Sequence, residues 1–212
     1  MLCSTGEKPL STNVADTDAM LEACKRNGTV LSVDHTRRFT PLWRYAKEQL
    51  LDKGAIGQVQ WLFARLQGNR AMMFRNGTHV IDAMLWFAGD GYKPAVPKWV
   101  QADFEEGFDD FDIYGRRGMD GGKDPALEPA VNGYVSFENG VKAFFMGGSK
   151  KTPAPKMGVE VVGTTGRIIM DDIGDGRNKD GDWTGTVKQS PPIAMHRGVL
   201  CLHRSQLTHR KL

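Results

Sequence analysis

Residues 131–146 read VNGYVSFENGVKAFFM, two runs rich in aromatic and β-branched residues separated by Glu138, Asn139 and Gly140. Apolar and polar positions alternate on both sides of the Asn-Gly pair, the pattern of two strands folded back on each other. Asn139 and Gly140 suit a two-residue type I′ loop, whose central positions both need φ > 0. A second hairpin is expected over residues 159–170, where VEVVG and GRIIM flank Thr164 and Thr165. After Gly89 the chain therefore builds a sheet of mainly antiparallel pairs rather than further crossover helices, and the fold class is α+β.

Upstream of the hairpins, residues 77–87 have helical spacing, with Val80, Ile81, Met84, Leu85 and Phe87 on the apolar face. Residues 59–67 (VQWLFARLQ) read as a strand. Thr40 and Pro41 supply an N-cap and a first-turn proline, and Leu42, Tyr45, Ala46, Gln49 and Leu50 mark a helix that runs to Gly54. Residues 14–27 form another helix, with Val14, Met20, Leu21 and Cys24 at helical spacing, acids early, Lys25 and Arg26 late, and Gly28 to stop it. Within that pattern Cys24 reads as a buried thiol acting as a small hydrophobe. TVLSV at 29–33 follows as a buried strand, so helix then strand suggests part of a parallel α/β layer. Residues 103–129 and 174–186, rich in Gly and Asp, read as surface loops.

The 212 residues are 40% hydrophobic and 25% charged, a composition that excludes disorder and fibre and fits one full domain plus part of another. The net charge of +3 is not a nucleic-acid signature. Residues 196–212 contain Arg197, Arg204, Arg210 and Lys211 and no acid, which leaves the other residues at −1. His196, His203 and His209 in that tail match no compact ligand set, and no metal is expected. Cys3, Cys24 and Cys201 are odd in number and far apart, which argues against a disulfide framework. No run approaches a membrane span. These features predict a soluble, cytoplasmic protein.

Three segments could carry chemistry. Glu7, Lys8 and Pro9 precede the first helix, and a lysine there can donate or accept a proton if burial lowers its pKa; a solvated lysine is the ordinary alternative. His79 stands in the first turn of a helix, where the dipole keeps an imidazole neutral and able to exchange a proton, although a packing or capping histidine has the same pattern. Arg37 and Arg38 follow a parallel strand in DHTRRF, the place where open α/β sheets hold ligands, so they could meet anionic groups or simply charge the surface.

In this order the EKPLS loop, the helix to Gly28, VDHTRRFTPLWRYAKEQLLDKGAIGQV and GTHVIDAMLWFAG resemble the Gfo/Idh/MocA family of nicotinamide-dependent sugar and polyol oxidoreductases, over roughly residues 7–172. The resemblance implies an open sheet with helices on one face, preceded by the end of a Rossmann domain. It implies domain limits of 1–36 for that remnant and 37–190 for the substrate and oligomerisation domain, with an irregular basic tail at 191–212. It also implies NAD or NADP as cofactor, held in part by Glu7, Lys8, Pro9 and Arg38. Lys8 is the first candidate for the catalytic base and His79 the second, while Arg37, Asn76 and His79 face the substrate. Asp82, three residues after His79, either holds its imidazole or faces solvent.

The sequence departs from the family in two places. Where many members have an aspartate four residues before the histidine, this chain has Arg75. No Gly-x-Gly-x-x-Gly follows a strand, and GRRGMDGG at 115–122 lacks the flanking strand and helix. The expectation is a truncated member that binds NAD(P) poorly, with a sugar or polyol as partner and homo-oligomers formed through the open sheet. A non-enzymatic module that associates through that sheet is the alternative, and no nucleic-acid or membrane partner is expected.

Overall fold

The computed structural model describes residues 3–11, 13–67, 77–104, 131–148, 157–172 and 185–190. It contains a two-stranded parallel sheet and a seven-stranded mixed sheet.

The small sheet pairs β1 (Cys3–Glu7) with β2 (Val30–Asp34), Glu7 opposite Asp34, and the helix α1 (Val14–Arg26) makes the crossover. The Asn13 side chain caps α1 by accepting from the Asp16 amide at 2.8 Å, and Gly28 turns the chain out of it at φ 60°. The helix limits agree with the sequence pattern, but the expected burial does not. No α1 residue is buried, Cys24 is only half-buried, and β2 contains no buried position. Two strands are too narrow a sheet to cover both an apolar helix stripe and their own second face. β1 itself, CSTGE, was not foreseen. It has no apolar alternation, and only its pairing with β2 identifies it.

A 3₁₀ turn (Thr36–Phe39) leads into α2 (Pro41–Arg44), which widens to π-helical turns over Tyr45–Leu51. Pro41 opens the helix as expected, yet Thr40 does not cap it with its side chain, because its hydroxyl donates back to the Arg37 carbonyl at 2.9 Å. Trp43, Ala46, Leu50 and Leu51 turn into the core.

The large sheet has the order β4-β5-β6-β3-β7-β8-β9, formed by β3 (Val59–Gln67), β4 (Pro97–Phe104), β5 (Val131–Phe137), β6 (Lys142–Gly148), β7 (Met157–Gly163), β8 (Arg167–Asp172) and β9 (Gly185–Ser190). Every pairing is antiparallel except β3 with β6. The architecture is thus α+β with a mainly antiparallel sheet. Alternation decides its faces: Leu62, Ala64 and Leu66 of β3 are buried, while Trp61, Phe63 and Arg65 point the other way and stay half-exposed. The helix α3 (Thr78–Ala88) packs on the buried side against β3 and β7 through an apolar surface that includes Val80, Met84, Trp86 and Phe87.

Both hairpins form, but the first has a different turn. The Gly140 amide donates to the Phe137 carbonyl at 3.1 Å and the Phe137 amide to the Val141 carbonyl at 3.0 Å, so Glu138, Asn139 and Gly140 make a three-residue loop. Gly140 sits at φ 88°, the left-handed position that ends such a loop. The second hairpin keeps its two-residue Thr164–Thr165 turn, closed by Gly163 and Gly166. Part of the loop expected at 174–186 is the start of β9, which is short and polar, with Val187 as its buried anchor. The segments 115–122 and 191–212 lie outside the described residues. Among the described residues no helix is long and apolar enough to cross a membrane.

Candidate functional site

Parallel pairing puts the C-terminal ends of β1 and β2 on one edge, because Glu7 and Asp34 are register partners. The chain leaves that edge at two adjacent points, through Lys8 and the cis-linked Pro9 from β1, and through His35 to Arg38 from β2. The N-terminal turns of α3 face the same place. Sequence separation conceals this convergence, since Lys8 and Thr78 are 70 positions apart.

His79 is 9% exposed, and its Nδ1 is buried without a hydrogen-bond partner among the described residues. Burial pushes its pKa from 6.5 down to about 3, and the electrostatic influence of Lys8, Arg37 and His35 pushes in the same direction. The imidazole is therefore neutral at pH 7, and burial rather than the helix start is the main cause. The electrostatic reach of Lys8 and Arg37 to His79 brings the lysine loop, the arginine loop and the helix start into one site. Lys8 is half-buried, and its amide donates to its neighbour Glu7 Oε2 at 3.2 Å.

Asp82 neither holds His79 nor faces solvent. It is buried and accepts two hydrogen bonds from Arg38, from Nε at 2.8 Å and Nη2 at 2.7 Å. The Arg38 guanidinium also lies 5.5 Å from the centroid of the Trp86 ring, a cation–π contact. Arg38 and Arg37 thus have different environments despite being neighbours. Arg38 is fixed by a carboxylate and an indole, and Arg37 acts on His79. Asn76 lies outside the described residues.

Sequence reading included His35 in the DHTRRF segment but gave it no role. Its ring meets the His79 ring edge to face, with centroids 6.3 Å apart, and its Nε2 is 3.9 Å from Asp82 Oδ1. Its position as the first residue after the strand was the available signal, masked by the more conspicuous arginines. A depression of about 650 Å³ lies elsewhere, on the open face of the large sheet beside Phe63, Tyr134 and Phe144.

No protein-family model matches the chain, and no curated protein matches it. Solved structures do. Aldose-aldose oxidoreductase from Caulobacter crescentus, complexed with glycerol, superposes with a TM-score of 0.61 at 19% identity, covering 91% of this chain and 57% of that one. An oxidoreductase from Agrobacterium radiobacter, in complex with NAD+, L-tartaric acid and magnesium, gives 0.58 at 18%, covering 92% and 56%. A super-repressor mutant of Gal80p from Saccharomyces cerevisiae gives 0.65 at 16%, covering 90% and 53%. The chain spans a little over half the length of these three structures. At these identities the likeness is one of fold alone, shared with these three structures.

Proposed function

We propose that this chain carries the substrate-side part of an NAD(P)-dependent oxidoreductase of the Gfo/Idh/MocA type, acting on a hydroxyl-bearing carbon of a sugar or polyol. The observation that carries the reading is the convergence of Lys8 with a buried, neutral His79 at the C-terminal edge of a parallel strand pair, where open α/β sheets take ligands. Residues 1–36 are read as the end of a dinucleotide domain and 37–190 as the substrate domain.

A bound nicotinamide supplies the acceptor for the hydride that leaves the alcohol carbon. The residues on this chain fit that end of a dinucleotide, since Glu7, Lys8 and Pro9 lie on the ligand edge and His79 Nδ1 has no protein partner among the described residues. Their task is the proton. As the C–H pair of electrons departs, the O–H proton passes to a base within hydrogen-bond reach, which leaves a carbonyl. An imidazole with a pKa of about 3 is a weak base, so His79 orients the hydroxyl and Lys8 in its neutral form receives the proton. In the reverse direction the Lys8 ammonium returns it. Arg37 and Asn76 orient the substrate, and Arg38, held by Asp82, supports the cofactor side.

The sequence contains no strand followed by Gly-x-Gly-x-x-Gly, so NAD(P) affinity of these 212 residues alone is expected to be weak. The test is formation of NAD(P)H over a panel of polyols, sugars and sugar acids at millimolar cofactor. Turnover with at least one polyhydroxyl substrate is expected, and inactivity across the panel with both cofactors counts against the reading.

One observation favours an additional reading, association through the open sheet. Trp99, Tyr134, Phe144, Phe63 and Trp61 form a continuous aromatic row across β4, β5, β6 and β3, with successive ring centroids 5.0, 4.9, 4.9 and 4.6 Å apart. Trp99 and Met146 on this face are about half exposed. Such a surface suits a second copy of the chain, whether or not the protein is an enzyme.

A further inference from the structure

We infer that the outer edge of the Arg38 guanidinium is an oxyanion site, and that Asp82 and Trp86 are the positioning residues that aim it. The inference rests on the site proposed above and adds a ligand chemistry which that reading does not specify. Asp82 and Trp86 stand one helical turn apart on α3, and together they hold the guanidinium that projects from the turn after β2. The carboxylate takes its inner edge, from Nε at 2.8 Å and Nη2 at 2.7 Å, and its Cζ lies over the Trp86 ring, 5.5 Å from the centroid. Two bonds in the plane and a ring against the face fix the orientation of the group. Trp86 is itself fully buried and stacked on Phe87 at 5.2 Å, so the ring is held in turn.

A guanidinium has five N–H donors, and Asp82 takes two of them. The second proton of Nη2 and one of Nη1 point away from Asp82 as a parallel pair. Nη1 has no hydrogen-bond partner among the described residues and is open to solvent, on a side chain that is 21% exposed. Arg38 stands beside the histidines, since Asp82 Oδ1, which accepts from Nη2, is 3.9 Å from His35 Nε2. Two parallel donors match two oxygens of one group, as a carboxylate or a phosphate presents them, whereas a hydroxyl fills only one. The electrostatic influence of Lys8 and Arg37 on His79 has the sign that attracts an anion. Two molecules of the proposed reaction carry such a group: the substrate, as a sugar acid, and the dinucleotide, through its diphosphate.

Calorimetric titration of the full chain tests this, with gluconate and pyrophosphate as probes and sorbitol, an uncharged counterpart of gluconate, as the comparison. At least one oxyanion should bind about tenfold tighter than sorbitol, and the tighter of the two names the source. Arg38→Gln should weaken that binding about tenfold, and Arg38→Lys should not restore it, because an ammonium keeps the charge and loses the fork. Trp86→Leu and Asp82→Asn, which loosen the cradle, should each weaken it about threefold, while Trp86→Phe, which keeps a ring against the guanidinium, stays near the wild type. The comparison on the wild-type chain does not depend on any variant folding. If neither oxyanion outbinds sorbitol, if Arg38→Gln binds them as tightly as the wild type, or if Arg38→Lys recovers full affinity, the oxyanion fork is wrong. Unchanged binding in both Trp86→Leu and Asp82→Asn overturns the positioning role. Turnover of neutral polyols by the same chain would leave the oxidoreductase reading standing in each of these cases, so the two fail separately.

Discussion

The Arg38 guanidinium grips the Asp82 carboxylate through two parallel hydrogen bonds, at 2.8 and 2.7 Å, across 44 residues of sequence. The pair joins the 3₁₀ turn that follows β2 to the first turns of α3, and so holds the two halves of the candidate site in register. Asp82→Ala would leave the guanidinium three-quarters buried with no carboxylate. We expect a loss of about 2–4 kcal/mol, read by urea denaturation. A loss under about 0.5 kcal/mol would show that the pair does not fasten the two halves.

Burial of neutral His79 predicts a pH dependence of stability. The folded pKa lies below the ordinary value, so the unfolded chain binds the extra proton first as pH falls. The stability associated with the neutral ring is present above about pH 6.5 and is lost progressively as pH falls toward about 3, by about 1.4 kcal/mol per pH unit in that window. On the order of 3 kcal/mol should separate pH 7 from pH 4. His79→Asn should remove that slope, which denaturation at a series of pH values would detect.

Lys47 is a buried lysine on the π-helical stretch. Its ammonium donates to the Gly89 carbonyl at 2.8 Å, at the end of α3, and lies 3.0 Å from Asp52. Lys47→Met keeps the volume but leaves the Gly89 carbonyl without this donor, and a loss of about 1–3 kcal/mol is expected in the same denaturation assay. An equally stable variant would mean that water replaces the ammonium there.

The hairpins, the helix limits of α1 and α3 and the sheet class were legible because each follows from local periodicity and turn chemistry. The errors arose where pairing partners decide the outcome. β1 and β9 are short and nearly without apolar alternation, and they become strands only through β2 and β8. The Asn139-Gly140 turn took three residues instead of two because Phe137, not Glu138, closes it against Val141. In the site, Lys8 and His79 were visible as residue types at suggestive positions. Asp82 was misjudged, since nothing local reveals that an arginine 44 positions earlier takes both its oxygens.

The aromatic row on the open sheet predicts self-association. Phe144 stacks on Phe63 at 4.9 Å near the middle of that row, so Phe144→Asp places a charge at the centre of the face without entering the core. Light scattering coupled to size exclusion should find the wild-type chain as a dimer or larger and the variant as a monomer. A monomeric wild type at high concentration would remove this reading.

The central claim is that Lys8 exchanges the proton while His79 orients the hydroxyl, and steady-state kinetics of Lys8→Ala and His79→Asn on the best polyhydroxyl substrate test it most directly. Loss of a general base predicts a fall in kcat of about 10²–10⁴-fold for Lys8→Ala, and a smaller fall with a raised KM for His79→Asn. A Lys8→Ala variant with kcat within about threefold of the wild type would contradict the account, since the proton would then leave by another route.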